Sequence, residues 1–209
     1  MTDDAGRPHR PSLYADLTAL IDASGGVDPG SRAEVAAATA AVVVHAGRSG
    51  REGDPDDRDL VSLADRVGID TLAALWRDAE PVSLAGALWA LYLLRQWVRT
   101  NGEEVTRLWR AGENLAAPDA VVAGVSDYAD VAAVQQVADS VLGGAYRGDF
   151  AVALERAAAL FRVLAAGRRH LADEGSEDDD RELRRADRNE RAAADLAAAA
   201  VRWRAGTLR

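Results

Sequence analysis

The apolar run from Leu84 to Leu94 constrains the fold of this chain more than any other feature. It contains no charged residue and is too short to cross a bilayer, which takes about 20 residues. Pro81 breaks the chain before it, Ser83 can cap it, and helical spacing continues to about Thr100. The first three turns leave almost no polar face, and a helix apolar all round has to be buried. Other helices are therefore expected to surround it, with Gly86 admitting a close neighbour. From Arg95 onward one side turns polar while Trp97 and Val98 stay apolar, so the helix should leave the core at its C-terminal end.

Elsewhere apolar residues recur at steps of three and four, the period of a helix. Leu13, Leu17, Leu20 and Ile21 predict a short helix closed by Ser24-Gly25-Gly26. Asp28-Pro29 predicts the start of a helix that Gly47 stops, followed by a charged loop over 47–57. A helix over Arg58–Val67 should end on a left-handed Gly68, and Asp70 should cap a short one carrying Leu72, Leu75 and Trp76. Glu103 and Glu104 suit the first turn of a helix that Gly112 stops. Pro118 and Gly124 interrupt residues 113–127, which read either as an extended piece or as a helical turn. Asp130 or Asp127 should cap a helix ended by Gly143-Gly144, and Asp149 should cap the next. A charged helix from about Arg181 to Ala205, closed by Gly206, comes last.

The expected fold is all-α: a compact array of eight or nine helices around the buried helix near 84–98. The expected organisation is a flexible N-terminus (1–11), a helical core domain (12–172), an acidic linker (173–180) and a charged C-terminal helix (181–209).

Composition then excludes chemistries. The chain has 209 residues, no cysteine and no lysine. That removes disulfides, thiol nucleophiles, thiolate metal sites, Schiff bases and the lysine of phosphate-binding loops. The net charge is −9, which repels nucleic acid and anionic membranes at long range. Met1–Arg10 lacks the apolar core of a signal peptide, so a cytoplasmic location with no membrane association is expected.

No motif brings together a catalytic set. Gly25–Ser31 has phosphate-loop glycines without the lysine, and Gly47-Arg48-Ser49-Gly50 departs from a nucleophile elbow at Arg51. Asp178, Asp179 and Glu182 match half of a magnesium-diphosphate pattern, but no second acidic motif answers them. Asp54, Asp56 and Asp57 lack the glycine and closing glutamate of a calcium loop. His9, His45 and His170 are not at metal-binding spacings. No catalytic, metal or cofactor-binding residue is assigned, and no cofactor is expected. Leu142–Leu154 has the small and aromatic order of half a tetratricopeptide repeat, with two residues missing between its halves and no second copy.

Two features point to binding. Arg181, Arg184, Arg185, Arg188 and Arg191 line one face of the last helix. They read either as a solvated face paired with the interleaved Glu182, Asp187 and Glu190, or as a surface for an acidic partner or a phosphate backbone. The five tryptophans are Trp76, Trp89, Trp97, Trp109 and Trp203. Trp76, Trp89 and Trp109 read as core, whereas Trp97 and Trp203 stand between core and partner surface.

Ser83–Val98 together with Gly144–Ala157 resembles an uncharacterised, all-helical actinobacterial protein family, over about residues 60–170. Its members carry inconsistent labels, RNA polymerase β subunit and thymidine phosphorylase. The resemblance implies a helical fold and carries over no function and no site residue.

The leading expectation is a non-enzymatic helical interaction or regulatory protein. Its candidate partner surface comprises Arg95, Trp97, Arg181, Arg184, Arg185, Arg188 and Trp203, and its partner is another protein or a second copy of the chain, not nucleic acid. The alternatives are a small-ligand module with a pocket near Trp89, Tyr92 and Trp97, and a hydrolase working through carboxylates.

Overall fold

The computed structural model describes residues 29–49, 75–125, 130–147, 149–172 and 177–209. Among these it contains seven helices and no strand. They are α1 (Pro29–Ser49), α2 (Leu84–Thr100), α3 (Gly102–Gly112), α4 (Ala117–Ala123), α5 (Val131–Arg147), α6 (Phe150–Leu171) and α7 (Glu177–Arg204). The expected helices over 12–24 and 58–67, the Gly25–Asp28 turn, the loop after Ser49, His9 and the Asp54–Asp57 cluster lie outside the described residues.

The helix ends follow from local side chains. Ser83 Oγ accepts the Gly86 N–H at 3.0 Å, an Asp130 oxygen accepts the Ala133 N–H at 2.7 Å, and an Asp149 oxygen accepts the Ala151 N–H at 2.9 Å. Each bond satisfies a backbone donor that a helix start leaves orphaned. The uncertain stretch after residue 113 resolves as the short helix α4, with Pro118 in its first turn and Gly124 at φ 76° closing it.

Three boundaries differ from expectation. α5 runs through Gly143-Gly144 to Arg147. Buried Val141, Leu142 and Ala145 hold this turn in place, so tertiary packing outweighs the low helix propensity of two glycines. α7 starts at Glu177, so Glu177–Asp180 are not linker but the first turn, where the helix dipole favours carboxylates. α1 runs past the expected stop at Gly47 to Ser49. α3 does end at Gly112, as expected, although without the positive φ of a left-handed stop. The role of Gly112 is close approach: a Cβ there would lie 2.0 Å from the Val163 carbonyl oxygen of α6, and one on Gly167 would lie 2.0 Å from that of Leu108 in α3. The two glycines thus let two backbones touch.

α6 holds the central place. It packs against α2, α3, α4, α5 and α7, and six buried alanines let those neighbours approach. α2 is buried from Leu84 through Leu88, and a Cβ on Gly86 would lie 2.1 Å from the Glu80 carbonyl oxygen. α2 contacts α1 as well as α3, α5, α6 and α7. Between α1 and α2, the Trp76 indole N–H donates to Thr39 Oγ1 at 3.0 Å, and its ring lies 5.8 Å from that of Tyr92.

The C-terminal helix belongs to this core. It lies along α6 and buries Ala186, Ala193, Leu196, Ala199 and Ala200. Its end returns to the start of α2. The Leu84 N–H donates to the Arg209 carbonyl at 2.9 Å, and Arg202 donates to the Val82 carbonyl at 3.1 Å. No described helix is long and apolar enough to cross a membrane.

Candidate functional site

The last turn of α6 carries two adjacent arginines, and together they organise the polar half of α7. Arg168 follows Leu164 and Ala165 by four and three residues, so it projects from the apolar face and is buried. Its Nη2 donates to Glu104 of α3 at 3.0 Å, its Nη1 to Glu182 of α7, and its guanidinium lies 5.3 Å from the centroid of the Trp97 ring. One side chain thereby joins α2, α3, α6 and α7. Its Nε finds no hydrogen-bond partner among the described residues. Arg169 turns outward and donates to Glu190 at 3.1 Å and Asp187 at 3.2 Å. For Glu182, burial works against the carboxylate, but the hydrogen bonds and charges of Arg168 and Arg185 outweigh it and lower the pKa. For Glu155, the Arg204 hydrogen bond lowers the pKa against a smaller burial effect.

This allocation leaves a residue row unneutralised. The carboxylates interleaved in α7 face α6, and Arg185 pairs within the helix with Glu182. Arg184, Arg188 and Arg191 are exposed and have no ion-pair partner among the described residues. At about 100° per residue these three and Arg181 share an arc of about 80°, and at 1.5 Å per residue they span about 15 Å. Asp180 and Asp195 bound the row at its two ends. Beside it runs a second row, with Leu183 (41% exposed) and Val201 (65% exposed) at its ends and exposed Ala194 and Ala198 between them.

The remaining candidates fall elsewhere. Arg95 is 3% exposed and donates through Nε to Asp139 at 2.6 Å, so it is an internal tie between α2 and α5 and not a contact for a partner. Trp97 is half-buried beneath Arg168. With half-buried Trp89 and exposed Leu93 it forms a ridge of residues four apart along α2. Trp203 is half-buried with its ring edge-on to Phe150 at 4.8 Å. Trp109 is buried and its indole N–H donates to Glu113 at 2.9 Å. Much of the apolar set between residues 75 and 109 is consumed within the chain: Trp76, Leu84, Leu88, Leu91, Leu108 and Trp109 are all core.

Tyr92 is buried, and Trp97 has the Arg168 guanidinium over its ring. A cleft of about 360 Å³ lies instead between α3 and α4, lined by Trp109, Glu113, Asn114, Ala120, Val121 and Val125 among others. A second, of about 320 Å³, brings Glu103 and Asp130 near Arg107 and Arg110. Among the described residues no three histidine or carboxylate side chains are placed to hold a metal ion, and Glu182 of the acidic motif faces arginines instead. His170 sits exposed in the last turn of α6.

Sequence reasoning missed Arg168. The available signal was an arginine at helical spacing on an otherwise apolar face. No family model, no curated protein and no solved structure matches the chain.

Proposed function

We propose that this chain is a non-enzymatic helical interaction protein that docks a macromolecular partner on the outward face of α7. The observation that carries the reading is the row of Arg184, Arg188 and Arg191, exposed and unneutralised on a chain of net charge −9. Of the carboxylates interleaved with this row, Glu182 serves Arg168 and Arg185, and Asp187 and Glu190 serve Arg169. Arginine is enriched at interfaces because its planar, weakly hydrated guanidinium loses little on docking.

The test is a photo-reactive residue placed at exposed Ala194 in the full chain and activated in the native cell. A discrete adduct is expected, and it should disappear when Arg184, Arg188 and Arg191 are all replaced by glutamine. No adduct, or an adduct indifferent to the triple replacement, would sink the reading. An adduct of twice the chain's own mass would identify the partner as a second copy.

A second reading, a small apolar ligand, has the α3–α4 cleft in its favour, because its volume lies in the range of small-molecule sites. Filling it with Val121→Trp should abolish any such binding without unfolding the chain, since Val121 is 82% exposed.

A further inference from the structure

Resting on that reading, we infer that the partner presents an acidic amphipathic helix, which lies along α7 with its apolar seam on Leu183, Ala194, Ala198 and Val201 and its carboxylates on the arginine row.

Residues 183, 194, 198 and 201 differ by eleven, four and three, the steps that keep a row on one face of a helix. The row has leucine and valine at its ends and alanines in its second half. Small side chains let a second helix axis come close, and large ones at the ends supply apolar area. From Leu183 to Val201 the helix rises by about 27 Å, which matches a partner helix of about five turns. Between Leu183 and Ala194 the same face also carries Asp187 and Glu190, whose carboxylates bond to Arg169, and the arginines flank the row on its other side. The seam supplies contact and the flanking arginines choose the partner.

Charge fixes the sign of the partner. Arg184, Arg188 and Arg191 want carboxylates at matching helical steps. A second copy of α7 would bring a like row of arginines against this one, which costs energy when like charges meet.

Nucleic acid fits less well, although it too is anionic. The cationic row is only about 15 Å long by helical rise. Asp180 and Asp195 bound it, and the chain as a whole carries −9. The Debye length at physiological salt is about 8 Å, so a polynucleotide running past both ends would meet repulsion unscreened over that distance. Nor does a phosphate backbone have any use for Leu183 and Val201.

The test uses the full chain and labelled probes in fluorescence anisotropy at 50 and 200 mM salt. The first probe is a designed 21-residue helix with leucine and alanine at alternating steps of three and four and glutamates flanking that seam. The second has the same composition scrambled. The third is a 20-nucleotide single strand. The first should bind at least about tenfold more tightly than the scrambled peptide, and the oligonucleotide should bind more weakly than either. Replacing Arg184, Arg188 and Arg191 by glutamine should weaken the first by about tenfold, the sum of three modest surface pairs. Leu183→Gln with Val201→Gln should weaken it to the level of the scrambled probe. All five side chains are exposed, so the melting temperature serves as a check that the variants still fold.

Equal binding of the two peptides would overturn the inference, because charge alone would then suffice. So would tighter binding of the oligonucleotide, or indifference to the Leu183 and Val201 replacements. If the Ala194 cross-link depends on the arginines while the designed helix fails to bind, the docking face stands and this partner chemistry falls. If the cross-link itself fails, both fall.

Discussion

Replacing Arg168 by methionine should destabilise the chain by about 2 kcal/mol. The replacement keeps a stem to pack against Trp97 and removes the guanidinium. Two bonds to carboxylates are lost, to Glu104 and Glu182. Hydrogen bonds to charged groups contribute about 1.5–3 kcal/mol each, and the contact over Trp97 adds about 1 kcal/mol. Three effects reduce that sum. The variant no longer has to desolvate a guanidinium whose side chain is only 5% exposed. It no longer strands Nε without a partner. Finally, Glu104 and Glu182 are 34% and 29% exposed and can take up water once the arginine is gone.

Arg169→Met is the internal control. It also loses two carboxylates, but Arg169 is 43% exposed and its partners 59% and 46%. Screened surface pairs of this kind are worth less than about 1 kcal/mol. Equilibrium urea unfolding measures both variants. At a slope of about 2.5 kcal/mol/M the Arg168 variant should lose about 0.8 M in midpoint, with the slope unchanged. Equal losses for the two variants would refute the idea that burial sets the strength of the clamp. A gain in stability for Arg168→Met would show that desolvation outweighs both ion pairs.

Two further outcomes follow from packing and from charge. Gly112→Ala and Gly167→Ala each force a Cβ to within 2.0 Å of a carbonyl oxygen on the facing helix. Each should cost about 3 kcal/mol or more. Gly144→Ala, with no atom within 4 Å, should instead stabilise α5 by about 0.5–1 kcal/mol, and thermal melts of the three variants should diverge in sign. The carboxyl groups of Glu155 and Glu182 both have folded pKa values below the ordinary 4.5. Their contribution is therefore complete above about pH 4.5 and is lost as pH falls through the lowered values. Urea midpoints taken between pH 7 and pH 3 should hold steady and then drop, and Glu182→Gln should flatten the drop. A midpoint that rises on acidification would contradict the assignment.

The parts of this fold that were legible in the amino-acid sequence are the ones decided within a few residues. Ser83, Asp130 and Asp149 cap their helices through bonds spanning two or three residues, and Gly206 closes α7 at φ 70°. The burial of α2 over Leu84–Leu88 follows from a run with no polar face to offer water. Contacts between helices were not legible, because they depend on the register of one helix against another. Glu104 stands 64 residues from Arg168 in the chain and Asp139 stands 44 from Arg95, so periodicity could not show that either arginine is buried and answered. For the same reason the sequence showed Gly112 as the end of α3 but not its close contact with α6, and it could not show that α6 touches as many helices as α2. The arginine row itself was visible at helical spacing. Where its interleaved carboxylates turn was decided by packing, which brings Asp187 and Glu190 to Arg169 on the neighbouring helix.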